Sequence, residues 1–388
     1  MGIEPGRLRA AARRSGMIVF PLLTLALAGS LTAFGAARPE RAFSYTNEVT
    51  PEVPWSVHVV RIDRAHHDLR FCTTLGGGAV LGMGILTDQL KSLPAELGTP
   101  LAAINGDFYE KSKDCAGRPR DLQIRNGEVI TPPAGHTCFW IDAQGDPQMT
   151  NIVSRFRVVW PNGQATPVGL NVQRTNDAAV VYTAVMGAST HTEEGVEYVL
   201  ERSAERPWLP LRVGQTYEAR VRQVQTAGNT PLDRQTVILS IGPGLVSAVP
   251  ALKPGAEVRL ILETIPDLSG VEVAIGGGPL LLKDRRIMSW KDWLNMRHPR
   301  TALGYNQHYI FLVEVDGRQI DVSVGMTFQE LAEYLLKLGC EQAMNLDGGG
   351  SATLWALGTV RSSPSEGQER PAPNALVVVR KNSRQASQ

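Results

Sequence analysis

The stretch TFQELAEYLLKLGCEQAMNLDGGGS, residues 327–351, carries the signals of a helix, a strand and a glycine-rich loop in that order. Thr327 and Glu330 are spaced as a capping box that begins the helix, and Gly339 is placed to end it. The sequence therefore predicts an amphipathic helix that stops before Gly339. Its apolar face would consist of Phe328, Leu331, Leu335 and Leu338.

The strand that follows this helix ends in polar residues. Residues 343–347 alternate with a period of two, which points Asn345 and Asp347 to one face. The glycines after them indicate either positive φ angles or a ligand that approaches the backbone closely, and a tight turn capped by Asp347 is the alternative. The candidate binding residues of this loop are Asn345, Gly348, Gly349, Gly350 and Ser351.

The composition is that of a globular protein with one large core or two medium ones. The chain has 388 residues, of which 43% are hydrophobic and 20% are charged. Its formal net charge is +1, and no block of arginine or lysine follows the first residues. A nucleic-acid partner is therefore not expected.

The N-terminus has the pattern of an export signal. Arginines precede an apolar run over residues 17–28, and small residues follow it. An uncleaved membrane anchor is the alternative, but Pro21 interrupts a run that is already short for a spanning helix. We expect residues 1–37 to be the signal and residues 38–52 a linker. The protein would then be exported to the periplasm, the cell envelope or the medium, touching a membrane only through an uncleaved signal.

Four cysteines lie beyond the signal, and an even number in an exported protein is compatible with two disulfides. Cys115 and Cys138 are the favoured pair, because a bridge between them would close one loop around a hairpin. Buried free thiols are the alternative, and the spacings fit no zinc site. The remaining cysteines are Cys72 and Cys340.

Turn signals predict frequent antiparallel pairing. Asn-Gly at 126–127, Asn-Gly at 162–163 and Asp-Gly at 316–317 each lie between β-branched or aromatic residues, as in two-residue hairpins. We therefore expect an α+β fold with mixed, largely antiparallel sheets and few helices. Helical patterns lie near residues 85–93, 290–295 and 328–338.

The middle of the chain is poor in motifs. Between about residues 155 and 264 the sequence indicates β meanders, with strands at 217–224 and 235–240. Because the motif-bearing segments flank this stretch, we expect a β-rich inserted lobe within one domain over residues 53–380. The polar tail, residues 381–388, is expected to be disordered.

Three further segments share the pattern of an apolar strand, a glycine and a polar side chain. Asn105 and Asp107 follow one strand, and Gly277 and Gly278 follow another, without the spacing of a nucleotide-binding loop. In the third, Arg300 opens a strand, where its planar fork could grip a phosphate or a carboxylate. A structural ion pair is the alternative for that arginine.

Other kinds of chemistry are less consistent with the sequence. His298 is a candidate general base, ranked below Arg300. No histidine or acid stands at a short ligand spacing from Asp347, so no cofactor is expected, although calcium held by carboxylate and carbonyl oxygens remains open. Ser351 lacks the glycine-flanked elbow of an acyl-transfer serine.

Five motifs occur together: Asn105-Gly106 before Phe108-Tyr109, residues 275–280, residues 299–304, residues 345–351, and Asn374 before the last strand. In their order they resemble the phosphodiester glycosidase family, over roughly residues 53–380. The animal member of that family removes N-acetylglucosamine from phosphodiester-capped mannose on lysosomal enzymes. The resemblance implies a fold of that type and hydrolysis of a sugar-1-phosphodiester or another phosphate-linked glycan.

The resemblance also implies roles for individual residues. Asp347 would activate water or attack the anomeric carbon, Arg300 would stabilise the departing phosphate, and Asn105 would support them. Asp107, at a position that is often glycine in relatives, and Glu272 are the candidates for a second carboxylate. Substrate contacts would further come from Asn345, Ser351, the loop glycines, Gly277, Gly278, Asn374 and Arg174, the last in a segment similar to bacterial relatives.

Two other functions fit the same residues. One is a metal-assisted phosphodiesterase, which would break the bond between phosphorus and oxygen. The other is a non-catalytic module of the cell envelope that binds phosphate-linked glycans through the Asp347 loop.

Overall fold

The computed structural model describes residues 42–112, 116–203, 208–291 and 296–382. The export signal, Cys115, most of the helix expected near residues 290–295 and most of the tail lie outside these ranges. Strands make up 44% of the described residues and helices 8%, so the fold is mostly β. The expected antiparallel sheets and scarcity of helices are confirmed, whereas the α+β label stays a prediction.

The first half of the described chain contains thirteen strands, one α-helix, α1 (Leu86–Lys91), and two 3-10 helices, Ala95–Leu97 and Ala184–Met186. The strands are β1 (Phe43–Thr50), β2 (Trp55–Asp63), β3 (Leu69–Thr73), β4 (Thr99–Asn105), β5 (Gln123–Arg125), β6 (Glu128–Thr131), β7 (Ala134–Ile141), β8 (Pro147–Ser154), β9 (Arg157–Val159), β10 (Ala165–Pro167), β11 (Gly169–Leu170), β12 (Ala179–Tyr182) and β13 (Val196–Arg202).

The second half of the described chain contains thirteen more strands and the longer helix α2 (Phe328–Lys337). The strands are β14 (Gln215–Gln225), β15 (Val237–Ile241), β16 (Glu257–Leu262), β17 (Thr264–Ile265), β18 (Val273–Gly276), β19 (Leu280–Lys283), β20 (Arg286–Ile287), β21 (Arg300–Tyr305), β22 (Tyr309–Val315), β23 (Gln342–Asn345), β24 (Leu354–Ala356), β25 (Thr359–Val360) and β26 (Ala375–Arg380).

These strands form four sheets in the described chain. Their orders are β1-β2-β22-β21-β23-β19-β20, β17-β8-β7-β18-β5-β6, β25-β24-β4-β26-β3 and β10-β9-β16-β14-β13-β15-β12-β11. Pairing is antiparallel throughout, except that β11 and β12 are parallel. The strand of β23 stops at Asn345, two residues earlier than expected, and Leu346 donates to the carbonyl of Thr301 beyond it.

One hydrophobic core joins the seven-, six- and five-stranded sheets. Fully buried residues from each sheet meet in it, among them Ile62, Ile104, Phe139, Ile275 and Leu303. Helix α2 packs on the outer face of the seven-stranded sheet, and α1 packs on the five-stranded sheet. The strands that end in polar loops are therefore fixed around a shared core.

The eight-stranded sheet consists of strands between Arg157 and Leu262, which pair with one another. The strands expected at 217–224 and 235–240 correspond to β14 and β15 and are confirmed. Whether this sheet is an insertion stays a prediction. The expected linker is wrong for its second part, because residues 43–50 form β1 and pair with β2 along its whole length. Alternation of Phe43 and Tyr45 with polar residues explains this strand, since both rings pack against the core.

The local turn and helix signals have mixed outcomes. The Asn126-Gly127 hairpin is confirmed, with φ angles of 51° and 77° joining β5 to β6. Residues 162–163 also lie in a hairpin, between β9 and β10, but with a longer loop in which only Gly163 of the pair has a positive φ. The hairpin expected at Asp316-Gly317 is wrong, because no strand pairs with the end of β22 after this turn in the described chain.

Helix α2 has the expected ends. Thr327 Oγ1 accepts from the Glu330 amide at 3.1 Å, and the Glu330 carboxylate accepts from the Thr327 amide at 2.9 Å. Gly339, with φ of 89°, follows the last turn. The predicted capping box is confirmed. In the ranges that the structure describes, no helix is both long and apolar enough to cross a bilayer.

The cysteines of the described chain are free thiols. Cys138 lies fully buried, and its Sγ donates to the Asp121 carboxylate at 3.2 Å. The expected disulfide is therefore not seen at Cys138, whose proposed partner Cys115 lies outside the described residues. Burial raises the pKa of the Cys138 thiol, with the Asp121 charge adding to the effect, so this group stays protonated.

Candidate active site

Asn105, at the end of β4, is the group that joins the loops of the site. Its Oδ1 accepts from the Thr301 hydroxyl at 2.7 Å and from the Thr353 amide at 3.0 Å, while its Nδ2 donates to the Asp347 carbonyl at 2.6 Å. The side chain is only 1% exposed. Asn105 therefore positions the backbone of Asp347, and these contacts leave it poorly placed to hold a substrate hydroxyl.

Asn374 has a similar positioning role beside it. Its Oδ1 accepts from the Asp107 amide at 2.9 Å, and its Nδ2 donates to Gln123 Oε1 at 3.0 Å. A Cβ at Gly106 would collide with the Asn374 carboxamide, which explains the glycine there. The Gly106 carbonyl then accepts from the Asp347 amide at 3.0 Å. The Gly106–Asp107 peptide thus bonds directly to the backbone of Asp347, which makes the two aspartates neighbours.

Asp107 is a buried carboxyl, 1% exposed, whose Oδ2 accepts from the Asp121 amide at 2.7 Å. Burial raises its pKa to about 8, helped by the negative charges of Asp121 and Asp347 and opposed by amide hydrogen bonds. At neutral pH Asp107 is therefore mostly protonated. The charge of Asp347 is the smallest of these effects.

Asp347 is partly buried, and its environment acts on it in both directions. Burial raises its pKa, whereas the Ser351 hydroxyl, the Gly348 amide and the charges of Arg370 and Lys111 lower it, with a net rise. Hydrogen-bond donors and cations thus favour the ionised form of Asp347, whereas its burial disfavours that form. Such a group suits a general base or a nucleophile.

The three glycines after Asp347 are explained by neighbouring protein groups. A Cβ at Gly348 would lie 2.7 Å from the Pro299 carbonyl oxygen, and one at Gly350 would collide with the Arg370 guanidinium. Gly349 has the positive φ, 62°, and a Cβ there would lie 3.0 Å from Arg318 Nη2. The glycines let two arginines and a neighbouring strand approach the loop.

Gly277 and Gly278 connect this loop to an adjoining cleft. The Gly278 amide donates to the Asn345 carbonyl at 2.7 Å, and Asn345 Nδ2 donates to the Gly278 carbonyl at 2.9 Å. Both glycines line a cleft of about 780 Å³ together with Asp107 and His136. His136 Nδ1 bonds to the buried Asp121 carboxylate at 2.8 Å. Phe108, Arg120, Lys283 and Trp290 also line this cleft. The cleft therefore presents aromatic, cationic and carboxyl groups to a ligand.

Arg300 does not take the position expected from the sequence. Its Nε donates to the Met326 carbonyl at 2.9 Å, its Nη2 donates to the Met296 carbonyl at 2.6 Å, and its guanidinium lies 4.0 Å from the centre of the Phe328 ring. Thr301, the next residue of β21, faces Asn105. Because side chains alternate along a strand, Arg300 points to the α2 face instead of toward Asp347.

Other sequence candidates also lie apart from the Asp347 loop. Arg174 donates to the carbonyls of Ile241 and Glu194, which belong to the eight-stranded sheet and a loop beside it. Glu272 is exposed and pairs with Arg212 at 3.0 Å, so it is not the second carboxylate. The structure therefore brings together Asp347, Asp107, Asn105, Asn345, Ser351, Asn374 and the loop glycines, and leaves out Arg300, Arg174 and Glu272.

Three cations near Asp347 were missed by sequence reasoning. Arg370 and Lys111 act on the Asp347 carboxyl, and Arg318 lies against Gly349. None belongs to a glycine-ended strand, and Arg318 follows a dipeptide that indicates a hairpin. The signal in the sequence that could have pointed to these cations was a basic residue after a polar loop, and that signal is weak.

A metal centre at Asp347 finds no set of ligands in the described chain. The group whose ligand atoms lie within 4.8 Å of one another is His58, Glu314 and Asp316, on β2, β22 and the turn after β22. There His58 Nε2 donates to Asp316 Oδ2 at 2.9 Å. Calcium binding at the loop stays a prediction.

Comparisons with known proteins identify the family of the chain. Residues 99–379 match the family model for phosphodiester glycosidases. The chain therefore belongs to the phosphodiester glycosidase family. Over 109 residues it is 35% identical to the bovine N-acetylglucosamine-1-phosphodiester alpha-N-acetylglucosaminidase, covering 26% of this chain and 20% of the bovine one.

Other relatives extend the comparison. A Bacillus subtilis protein, the SPbeta prophage-derived uncharacterized protein YomE, is 32% identical over 28% of this chain and 18% of its own. The chain thus spans about a fifth of these curated relatives. A hypothetical protein from Synechocystis shares the fold with a TM-score of 0.69 and 18% identity, covering 87% of this chain and 62% of that one. A Burkholderia pseudomallei K96243 protein does so with a TM-score of 0.63 and 21% identity, over 84% and 74%.

Proposed function

We propose that this protein is an exported hydrolase that releases a sugar from a sugar-1-phosphodiester by breaking the bond at the anomeric carbon. The observation that carries the proposal is that Asp347 and Asp107 lie on neighbouring loops, joined by the hydrogen bond from the Asp347 amide to the Gly106 carbonyl, with Arg370 packed against the Asp347 loop. Membership of the phosphodiester glycosidase family supports the reaction class. The basic and apolar N-terminal pattern supports export.

The two carboxyl groups have different roles in this proposal. Asp107 is mostly protonated at neutral pH, so it adds no second negative charge beside Asp347 and can donate a hydrogen bond to the substrate. Asp347 acts as base or nucleophile in this proposal, and the Gly348 amide and the charges of Arg370 and Lys111 favour its ionised form against the effect of burial. Pairs of carboxyls whose surroundings separate their pKa values are a common arrangement for such a division.

The proposed hydrolysis accounts for every bond that forms and breaks without a strong acid. Water adds to the anomeric carbon, its proton passes to Asp347, and the phosphomonoester leaves with the electron pair of the broken bond. If Asp347 attacks first, the same water resolves a glycosyl ester in a second step. A phosphomonoester is a good leaving group, so nearby positive charge can replace full protonation.

The cation that supports this departure differs from the one expected. Arg300 is held by two backbone carbonyls, so the role moves to Arg370 and Lys111, whose charges act on Asp347. Arg370 donates to both oxygens of Glu366, which fixes its guanidinium against Gly350. The arrangement places an arginine, paired with Glu366, against the loop that carries the reacting carboxylate.

The test is hydrolysis of a panel of sugar-1-phosphodiesters in oxygen-18 water by the purified mature protein. Label in the released sugar is expected. Label in the phosphate instead would identify a phosphodiesterase, and glycan binding without release of reducing sugar would identify a binding module. Replacement Asp347→Asn should abolish release while near-UV circular dichroism and substrate binding persist. Glu272→Gln is the matched control and should keep full activity, because Glu272 pairs with Arg212 on the surface.

A further inference from the structure

Two arginines pack against successive glycines of the Asp347 loop, but their charges are balanced differently. Arg370, against Gly350, has both oxygens of Glu366 as partners. Arg318, against Gly349, has the ring of His298 as its hydrogen-bonding neighbour, with 3.4 Å between Nη2 and Nδ1. Arg318 is therefore the less neutralised of the two cations.

Arg318 lies within electrostatic range of a second arginine, Arg300, on one side and of the Glu366 carboxylate, whose pKa it helps to lower, on the other. Burial, followed by the charge of Arg318, lowers the pKa of Arg300 to about 10. Burial lowers the pKa of His298 as well, with smaller effects from Arg300 and Arg318. No carboxylate of the described chain opposes either shift. Arg300 and Arg318 thus lie within electrostatic range of each other, beside a histidine whose lowered pKa leaves it neutral at neutral pH. The two like charges are unfavourable together unless an anion joins them.

The backbone of Arg318 is held in a costly conformation. Its φ is 62°, in the left-handed region that bulky residues rarely adopt and that costs about 1 kcal/mol or more. Gly317, the residue before it, lets the turn pack closely on its neighbours. A Cβ at Gly317 would lie 2.7 Å from the Pro299 nitrogen and 2.9 Å from the Gly325 Cα. The turn therefore packs against Pro299, which precedes Arg300, and against Gly325.

A buried hydrogen bond between His58 and Asp316 fixes the start of this turn. Asp316 is 1% exposed, and its carboxylate accepts from His58 Nε2 at 2.9 Å and from the Ser363 amide at 2.5 Å. Gln319, on the other side of Arg318, donates to the Ser363 carbonyl at 2.8 Å. Both ends of the segment that carries Arg318 are thus bonded to Ser363, and its start is also bonded to His58 of β2.

We propose that Arg318 and His298 form a binding site for the phosphate oxygens of a phosphate ester at the Gly349 side of the loop, and that the His58–Asp316 pair positions Arg318 for it. The guanidinium offers a planar set of donors suited to phosphate. Because Arg318 donates to His298 Nδ1, His298 Nε2 carries a proton and donates as well. The identity of the ester rests on the proposed function, whereas binding of the anion does not.

The first experiment is calorimetric titration of the full-length protein with inorganic phosphate. Wild type should bind, and Arg318→Gln should weaken binding by about tenfold or more, the loss of a charge-assisted hydrogen bond. Arg297→Gln is the matched control, since Arg297 pairs with Glu330 and stacks over Trp55. Wild type that binds no phosphate, or an Arg318→Gln protein that binds as tightly as wild type, overturns the proposal.

The second experiment tests the positioning role of His58. In a His58→Gln protein whose fold is verified by near-UV circular dichroism, phosphate affinity should fall by about threefold to tenfold. An unchanged affinity in the folded variant refutes that role. Kinetics on a cleaved phosphodiester should show Arg318→Gln raising KM more than it lowers kcat. Phosphate binding through Arg318 without any sugar release would support this site and refute the proposed function. Sugar release without phosphate binding through Arg318 would refute this site and support the proposed function.

Discussion

Replacement of Asp107 by Asn should change how stability depends on pH. The pKa of Asp107 is raised from 3.8 to about 8, chiefly by burial, so the folded state binds this proton more tightly than the unfolded state. The stabilisation is therefore complete below about pH 4 and is lost as the pH rises toward 8. From this group alone, the free energy of unfolding falls by about 1.4 kcal/mol per pH unit in that window.

Asp107→Asn removes the proton but keeps an oxygen that can accept from the Asp121 amide. Between about pH 5 and pH 7, wild type should therefore lose roughly 3 kcal/mol of unfolding free energy relative to the variant. The assay is urea unfolding followed by tryptophan fluorescence at both pH values. Asp321→Asn, at an exposed position, is the control and should run parallel to wild type.

Parallel pH dependence of wild type and Asp107→Asn would refute the reasoning, because it would show that Asp107 is ionised in the folded state. The division of roles between Asp107 and Asp347 would then fail with it. A steeper loss in the variant than in wild type would have the same meaning.

Further variants test individual contacts. Asn105→Ala should cost about 3 kcal/mol or more in urea unfolding, because it leaves three buried partners without a hydrogen bond; a cost below about 1 kcal/mol would contradict that. Thr327→Ala should cost about 1 kcal/mol by loss of the helix cap, measured in the same way. Gly350→Ala should displace Arg370 and lower kcat/KM by about tenfold or more while the protein stays folded; full activity would show that the position of Arg370 is not used.

The parts of the fold that the sequence predicts well are those set by near neighbours. The capping box of Thr327 and Glu330 and the Asn126-Gly127 hairpin depend on residues within three positions of each other. Asp316-Gly317 gives the same kind of signal with a different outcome. There the glycine is required by Pro299 and Gly325, and the aspartate by His58, so tertiary contacts decide the turn.

The candidate site shows the same limit. Asp347, Asn105 and the glycines were identified because each ends an apolar strand. The direction of Arg300 was wrong, because the sequence does not say which face of β21 looks toward α2. Once Thr301 is known to face Asn105, the alternation of the strand places Arg300 on the opposite side. Arg318, Arg370 and Lys111 reach the loop from separate turns, which no short-range pattern encodes.

The glycines of the Asp347 loop explain why these cations gather there. A side chain at position 349 or 350 would occupy the space that Arg318 or Arg370 now fills. The loop therefore gives up side chains of its own so that positive groups from distant parts of the chain can lie against its backbone. The backbone of Asp347 is held by the Gly106 carbonyl and by Asn105, so its position does not depend on the arginines. A substrate with a phosphate beside its reacting carbon would meet both at once, which is the arrangement that hydrolysis at an anomeric phosphate requires.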